Sequence, residues 1–553
     1  MKKIIRLFLL LGMCLLSSTS KISSQTYWQN QTSPKYEIRA VWLTTIGGID
    51  WPHSYSADEQ RKELIQTLDK LKHAGINTVF LQTRVRATTI YPSVYEPWDA
   101  CMSGTPGKAP KYNPLQFAID ECHKRGMQLH AWVVTIPIGK WTKYGCQQLR
   151  KKHPKMVIKI GEDGYLNPES QETSAYLSAI CREIVENYDV DGIHLDYIRY
   201  PETWKLRVSR EQGRTNITRI ARDIYIKVKA VKPWVMVSCS PIGKHDDLLR
   251  YRSNGWNART RVCQDAQQWL KDGIMDALFP MMYFRDNNFF PFAIDWQEHS
   301  YGRFVVPGLG IYFLDPREGK WTLDDIERQM SISRQLGMGH CYFRSKFLID
   351  NIQGIYDFGC EFDNTPSLIP PMSWSSGVQP EAPEEFRIED DTTLKWFAKK
   401  DYVYNVYASK EYPVDITNAK NLMATRLRTD EFVIDKNAAL NYAITAQDRF
   451  GQESPASQLE KLLNSNSVSM DLSQRFYMAN ERMELPFKPS TLDADYILIQ
   501  TLQGTTIALY PYKGHDIDIS KLSNGIYQWR SLGKKGRHHR MGFFSVKHQQ
   551  NTK

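Results

Sequence analysis

Between residues 38 and 358, apolar strand-like runs alternate with amphipathic helix-like stretches in strict succession. Eight strands that alternate with eight helices predict an α/β fold, a closed (β/α)8 TIM barrel, because neighbouring parallel strands need a crossover helix. An open doubly wound sheet would carry a glycine-rich phosphate-binding turn after an early strand, and none occurs. The predicted strands are 38–45, 78–84, 128–135, 192–198, 234–241, 276–284, 304–313 and 340–345, and the predicted helices are 57–73, 114–125, 172–188, 210–231, 263–271, 289–299, 323–336 and 347–358.

The pattern changes after a proline-rich stretch at residues 361–383. From 384 to 460 apolar and polar residues alternate with period two, which predicts a small β-sandwich that resembles a fibronectin type III module. Strand-like runs at 466–550 predict a C-terminal β-domain. We therefore expect a barrel at 35–360, a linker at 361–383 and two all-β domains that are dispensable for the chemistry.

The N-terminus is typical of a secretory signal peptide over residues 1–25. Lys2, Lys3 and Arg6 precede a short apolar run, which is too short to span a bilayer and ends in small polar residues. Met13 stands before Cys14, where a lipoprotein site requires a small residue, so we expect no lipid anchor at Cys14. The prediction is a secreted or periplasmic protein that associates with the cell envelope.

Charge and cysteine spacing exclude several classes of function. Lys and Arg outnumber Asp and Glu by 71 to 61, a formal charge of +10 on 553 residues, and there is no nucleic-acid-binding motif. No Cys-x-x-Cys pair or metal-spaced His/Asp/Glu set occurs, so we expect no metal and no other cofactor. A Gly-x-Ser-x-Gly elbow is absent, which argues against a serine esterase. The possible disulfides are Cys101–Cys146 and Cys263–Cys360, and the sequence leaves both pairings and the oligomeric state open.

The segment Asp191–Pro201 carries the strongest chemical signal, a short apolar strand that ends in a carboxylate, Asp196. Active sites of such barrels lie at the carboxyl ends of the strands, and glycosidases use carboxylates there. Asp196 is therefore predicted to be catalytic, as nucleophile, acid or stabiliser of an oxocarbenium-like transition state. Its partner is sought among the carboxylates after other strand ends, Glu96, Glu202 and Asp286, with Asp286 as the first choice.

Polar and aromatic residues near the other strand ends are candidates for binding substrate. Arg84 ends the second strand, and because a buried arginine is costly unless paired, we expect it to orient Asp196 or a substrate oxygen. Strand alternation places His194 and Ile198 on the same side as Asp196. Tryptophan rings offer platforms for sugars, although Trp132 is equally well explained as core. The predicted substrate-binding residues are Arg84, Glu96, Trp98, His130, Trp132, His194, Arg199 and Tyr283.

Four segments together resemble the glycosyl-hydrolase-like 10 family, also called domain of unknown function 187. They are Ile38–Thr45, Tyr91–Trp98, Asp191–Pro201 and Pro280–Tyr283. The resemblance covers about residues 35–360 and implies a barrel glycosidase of the bacterial envelope. It further implies an N-acetylhexosamine-containing glycan as substrate, namely peptidoglycan strands that lack stem peptides.

The segment Asp191–Pro201 is also similar to the Asp-Gly-x-Asp-x-Asp-x-Glu motif of family 18 chitinases. Ile198 stands where that resemblance requires the catalytic glutamate. Tyr283 resembles the strand-six tyrosine of chitinases, which implies a hydrogen bond to a substrate N-acetyl carbonyl. Two main functions remain open, a secreted glycoside hydrolase and a non-catalytic carbohydrate-binding barrel, and a second carboxylate near Asp196 would favour the first. A third option is an envelope scaffold that works through its β-domains.

Overall fold

The computed structural model describes residues 33–459, apart from 252, 254, 255, 376, 436, 437 and 439, and, beyond them, 476–479, 482–483, 496–501, 505–512, 517–532 and 538–546. The predicted signal peptide at 1–25 lies outside the described residues. The chain divides into two compact units, the first of which ends at Leu459. No helix in the described part is long and apolar enough to cross a membrane.

A parallel β-sheet surrounded by helices forms the larger part of the first unit. Its strands lie in the order β10-β9-β8-β7-β3-β2-β1-β12-β11, and β4, β6 and β5 form a separate antiparallel sheet. The strands are β1 (Arg39–Leu43), β2 (Thr78–Arg84), β3 (Gln128–Val134), β4 (Pro137–Lys140), β5 (Val157–Ile160), β6 (Asp163–Leu166), β7 (Gly192–Asp196), β8 (Met236–Cys239), β9 (Ala277–Leu278), β10 (Phe304–Val305), β11 (Gly308–Leu309) and β12 (His340–Tyr342).

The two edges of the large sheet belong to one stretch of chain. Only Val306 and Pro307 separate β10 from β11. The amide of Val306 donates to Leu278 O at 2.9 Å, and the carbonyl of Pro307 accepts from the amide of Cys341 at 3.0 Å. The sheet therefore curls until this stretch bonds to β9 on one side and to β12 on the other, as in a TIM barrel.

Helices follow most of the strands and cover the sheet. The helix Ala57–His73 shows why they form: acidic residues occupy its first turn, basic residues its last, and Leu64, Leu68 and Leu71 make one buried face. It is followed by Gly75, whose φ of 78° lies in the left-handed region. The helices of this unit are Ala57–His73, Ala100–Ser103, Pro114–Lys124, Tyr144–Lys152, Gln171–Asn187, Arg210–Val231, Ala258–Arg261, Ala266–Lys271, Phe290–Glu298, Leu323–Gln335, Ser345–Ile349 and Ile355–Phe362.

A β-sandwich follows in the same unit. One sheet has the order β13-β14-β17 and the other β16-β15-β18-β19, and Leu394, Trp396, Tyr404 and Ile444 belong to the shared core. Its kinship with fibronectin type III modules stays a prediction. The strands are β13 (Arg387–Glu389), β14 (Thr393–Lys395), β15 (Val403–Ser409), β16 (Leu422–Leu427), β17 (Glu431–Val433), β18 (Asn441–Gln447) and β19 (Ser457–Leu459).

Ion pairs fasten this sandwich to the amino end of the barrel strands. Arg426 Nη2 lies 2.8 Å from Asp191 Oδ1, and both Arg428 and Arg449 pair with Asp189. Burial opposes ionisation of Asp191, but the neighbouring His123 and Arg426 hold its pKa well below the usual range. Asp191 is thus a structural carboxylate. The sandwich thus completes a buried charge network of the barrel, and its dispensability for the chemistry stays a prediction.

The second unit is all-β in its described parts. Five of its strands form a sheet of order β20-β26-β25-β22-β23, and β21 pairs with β24. Ile497, Ile499, Trp529 and Phe544 belong to its core. The strands are β20 (Phe476–Ala479), β21 (Arg482–Met483), β22 (Tyr496–Thr501), β23 (Thr506–Pro511), β24 (Ile517–Asp518), β25 (Gly525–Leu532) and β26 (His538–Val546).

The eight cysteines of the described residues are all free. Neither Cys101 with Cys146 nor Cys263 with Cys360 forms the disulfide that the sequence left possible. Burial raises the pKa of the Cys263 thiol, as expected for a cysteine that packs as a small apolar residue.

Candidate active site

Asp196 is the last residue of β7 and is 8% exposed. Its Oδ1 accepts from the amide of Tyr197 at 2.8 Å and from the hydroxyl of Ser240 at 3.1 Å, and its Oδ2 accepts from the indole of Trp132 at 3.2 Å. Burial raises the pKa of Asp196, although Arg199 and these hydrogen bonds oppose the rise. A carboxyl group that keeps its proton to higher pH is suited to general acid catalysis.

The backbone around Asp196 explains its orientation. Thr135, just after β3, binds the carbonyl oxygen of Asp196 through its amide at 2.9 Å and its hydroxyl at 2.8 Å. Tyr197 has a φ of 55°, an uncommon conformation for a residue other than glycine, and this turn allows its amide to reach the carboxylate. Sequence patterns did not predict these roles for Thr135, Tyr197 and Ser240, whose only signal is their position at strand ends.

The same turn corrects the expectation for Ile198. Because β7 ends at Asp196 and Tyr197 is left-handed, strand alternation does not continue to residue 198. The Ile198 side chain is fully buried in the core between sheet and helices, whereas Trp132 belongs to the core inside the barrel. Ile198 therefore does not take the place of a catalytic glutamate beside Asp196.

Tyr283 stands in an aromatic wall after β9. Its ring centroid lies 5.6 Å from that of Tyr312 and 5.3 Å from that of Phe343. Burial, followed by the neighbouring Cys341, Tyr312 and Asp196, raises the pKa of Tyr283 well above its usual value. The phenol therefore stays protonated and can donate a hydrogen bond to a substrate.

Arg84 and Glu96 bind each other rather than Asp196. The guanidinium group donates from Nε at 2.8 Å and from Nη2 at 2.6 Å to the two oxygens of Glu96. Its Nη1 binds the carbonyls of Val134 and Thr135, the latter at 2.9 Å. Arg84 thus supports the strand end next to Asp196 through the backbone. Arg84 was expected to orient Asp196 or a substrate oxygen; in the structure its hydrogen bonds go to Glu96, Val134 and Thr135, and Glu96 is occupied by this buried ion pair.

His130 and His194 are buried inside the barrel. Since the indole of Trp42 can only donate, His194 Nε2 is the acceptor at 3.1 Å, while Nδ1 lies 2.9 Å from the hydroxyl of Ser238. The His194 ring stacks on Phe80 at 4.2 Å. Burial lowers the pKa of His130 to about 4 and that of His194 well below its usual value. Both rings are neutral and lie among the aromatic residues inside the barrel, and a contact with substrate stays a prediction.

The remaining candidates lie beyond strand ends, Arg199 and Glu202 on the loop after β7 and Asp286 at the start of the 3₁₀ helix Asp286–Asn288. Glu202 Oε1 accepts from Arg199 Nη2 at 2.7 Å, and the Arg199 guanidinium carbon lies 4.4 Å from the ring centroid of Tyr197. Asp286 is exposed and pairs with Arg328 at 3.3 Å.

Trp98 is half-buried on the loop after β2, where its backbone is bridged to Thr89.

Each proposed partner carboxylate of Asp196, namely Glu96, Glu202 or Asp286, pairs with an arginine. In the described part of the chain, none of these carboxylates is hydrogen-bonded to Asp196.

One buried cluster has the spacing of metal ligands. Glu37, His340 and Asp363 bring their ligand atoms within 4.8 Å of one another. Arg39 and Arg334 both pair with both carboxylates at 2.5–3.2 Å, for example Arg39 Nε with Glu37 Oε2 at 2.7 Å. Two guanidinium groups in direct contact would repel a cation, so this donor set does not fit a metal ion.

Comparison with known proteins identifies the family. The model of the family described as "Glycosyl hydrolase-like 10" matches residues 37–211 and 205–312. The chain is 27% identical over 472 residues to "Glycosyl hydrolase YngK" of Bacillus subtilis, covering 76% of this chain and 92% of that protein. It is 30% identical over 286 residues to "Glycosyl hydrolase DigH" of Escherichia coli, covering 44% of this chain but only 65% of that protein.

Among solved structures, the glycoside hydrolase domain of PgaB (BpsB) from Bordetella bronchiseptica aligns with a TM-score of 0.42 at 14% identity, covering 59% of this chain and 98% of that one. The family match and both named relatives confirm the resemblance found in the sequence motifs. The chain therefore belongs to the glycosyl hydrolase-like 10 family and is classed with the glycoside hydrolases.

Proposed function

We propose that this protein hydrolyses glycosidic bonds of an N-acetylhexosamine-containing envelope glycan, with Asp196 as the general acid. The observation that carries the proposal is the buried carboxyl of Asp196 at a strand end, where burial raises its pKa and three donors fix its orientation. A carboxyl that is held in place and whose pKa is raised can give its proton to the oxygen of the leaving sugar, as a general acid does in glycosidases.

For the attacking group, we propose the N-acetyl oxygen of the substrate itself. Tyr283 supports this, because its protonated phenol near Asp196 can bind that group. The N-acetyl oxygen would attack the anomeric carbon while Asp196 gives its proton to the leaving oxygen. Water would then open the cyclic intermediate and return a proton to Asp196, as in substrate-assisted glycosidases. The alternative is that Asp286 supplies the second carboxylate.

As the substrate class we propose peptidoglycan strands without stem peptides. The protein would act on them in the cell envelope, outside the cytoplasm. The family membership and the predicted signal peptide support this choice. Long segments after β2 and β3, the second of which folds into the β4-β6-β5 sheet, would wall a cleft at the carboxyl ends of the strands. Bulky peptides on the sugars would clash with such walls, whereas bare strands would pass between them.

The test compares three glycans under one condition. The purified full chain is incubated with intact peptidoglycan, amidase-stripped strands and chitin oligomers, and products are read by mass spectrometry. We expect soluble oligosaccharides from the stripped strands. Equal release from intact peptidoglycan would refute the steric argument, and binding without any release would favour the non-catalytic carbohydrate-binding barrel.

A further inference from the structure

A cavity of 610 Å³ opens between the segments that follow β7 and β8. Its volume lies within the range of about 300–1,000 Å³ that is typical of small-molecule sites. Its lining includes two tryptophans, three basic residues and one carboxylate, namely Trp204, Trp256, Lys205, Arg210, Arg261 and Glu202.

One ion pair separates this cavity from the proposed acid. Glu202 lines the cavity and binds Arg199, which in turn lies over the ring of Tyr197. The charge of Arg199 also acts on Asp196. Arg199 thus connects the wall of the cavity with the surroundings of Asp196.

The charges around the cavity favour an anion. Lys205, Arg210 and Arg261 face a single carboxylate, Glu202, whose charge is already matched by Arg199. The helix Arg210–Val231 begins at the cavity wall, where Ser209 caps its N-terminus and Glu211 lies in its first turn, so the positive charge of the cavity comes from the three basic side chains. Within the described part of the chain, Lys205, Arg210 and Arg261 form no ion pair, and this surplus of positive charge points to an anionic ligand group.

The aromatic residues favour a sugar ring as the carrier of that group. Trp256 is 47% exposed, so part of its indole ring is accessible to a ligand in the cavity. Trp204 is held edge-on by Tyr200 at 5.4 Å and by Tyr165 at 5.9 Å between ring centroids, so its position is fixed before any ligand binds. Rigid indole faces can pack against the apolar face of a sugar.

We propose that this cavity binds a sugar residue that bears a free carboxylate, next to the bond cleaved at Asp196. The inference rests on the proposed function and deepens it. Removing an amide-linked peptide from a sugar frees a carboxylate, so a site for that carboxylate would select stripped strands by charge. Selection would then depend on attraction in the cavity as well as on exclusion by the cleft walls.

The experiment compares stripped strands with the same strands after chemical reduction of their carboxylates to alcohols. In the wild-type full chain, kcat/KM for native stripped strands should exceed that for reduced strands about tenfold, and the excess should shrink as salt screens the charges. The double variant Lys205→Gln/Arg261→Gln should lose most of this ratio through a rise in KM on native strands. Lys227→Gln, an exposed lysine on the same helix, is the matched control and should keep the ratio.

A wild-type ratio near one, or a ratio that the double variant leaves unchanged, would overturn the proposal. If no glycan is cleaved at all, the proposed function fails, and the cavity is judged separately by calorimetric titration of fragments of native and reduced strands. Tighter binding of the native fragments that the double variant abolishes would still support the cavity, and equal binding of both fragments would reject it.

Discussion

At the scale of single residues, the charge state of Asp196 connects activity with stability. Its carboxyl is buried, so the folded protein holds this proton more tightly than the unfolded chain does. The free energy of unfolding therefore falls as pH rises from the unfolded pKa, about 3.9, through the raised folded pKa. Near neutral pH an ionised Asp196 would destabilise the fold, which is a cost that a catalytic group can carry.

We predict that Asp196→Asn lowers turnover by about 10²–10⁴-fold, because a positioned general acid contributes that much. The variant keeps the shape and most hydrogen bonds but cannot ionise. Its melting temperature should equal or exceed that of the wild type, with a larger difference at pH 8 than at pH 4. Kinetics and thermal unfolding at both pH values check this, and near-normal hydrolysis would remove Asp196 from the mechanism.

The identity of the attacking group can be read from a second pair of variants. Tyr283→Phe keeps the ring contacts with Tyr312 and Phe343 but loses the phenol, so kcat should fall about tenfold, as for one lost hydrogen bond. Asp286→Asn should change kcat by less than about twofold if the N-acetyl oxygen attacks. A loss with Asp286→Asn as large as that with Asp196→Asn would instead make Asp286 the second carboxylate.

At the scale of secondary-structure elements, the buried pair Arg84–Glu96 joins β2 to its following loop and to the end of β3. Removing one partner leaves an uncompensated buried charge, so Arg84→Met should lower the free energy of unfolding by about 3–5 kcal/mol. Glu186→Gln, in the exposed pair with Arg182, is the control and should cost less than about 1 kcal/mol. Denaturant titration measures both, and similar small losses would show that the pair is not needed for stability.

The long periodic elements could be predicted from sequence because their burial pattern is local. The strand 78–84 and the helices 57–73 and 210–231 agree with the structure residue for residue. The sixth and seventh strands were predicted too long, because Pro280 and Pro307 lack the amide that would continue the ladder. The last predicted helix is two helices, separated by the left-handed Asn351 and Gln353.

Contacts between side chains that belong to different elements could not be predicted from sequence patterns. Asp196 was placed correctly at a strand end, since the apolar run before it is local information. The ion pair between Glu96 and Arg84 depends on the path of the loop after β2, and the periodicity of the sequence does not determine that path. The turn at Tyr197, which removes Ile198 from the barrel mouth, could not be predicted either. Tyrosine rarely adopts a positive φ, so the residue type gives no sign of this turn.

At the scale of the whole molecule, the first compact unit includes both the barrel and the sandwich and ends at Leu459. Ending the chain at Cys360 would remove Arg426, Arg428 and Arg449 and leave Asp189 and Asp191 without these partners. We predict that such a truncation is aggregated or unstable, whereas a chain that ends at Leu459 folds and keeps its turnover on soluble fragments.

Circular dichroism melting, size-exclusion chromatography and turnover on soluble fragments compare the two truncations with the full chain. A stable, active chain that ends at Cys360 would show that the sandwich is a separable module after all. Loss of soluble-substrate turnover in a folded chain that ends at Leu459 would instead assign residues 460–553 a role in the chemistry.

The pairing of β1 with β12 also sets the order of events during synthesis. Arg39 lies opposite His340, so β1, the first barrel strand among the described residues, has one edge uncovered until β12, the last, has been synthesised. Contacts this distant in sequence slow folding, and an uncovered strand edge invites pairing with another chain. The edge of β1 that pairs with β12 therefore stays open until residue 342 has been synthesised.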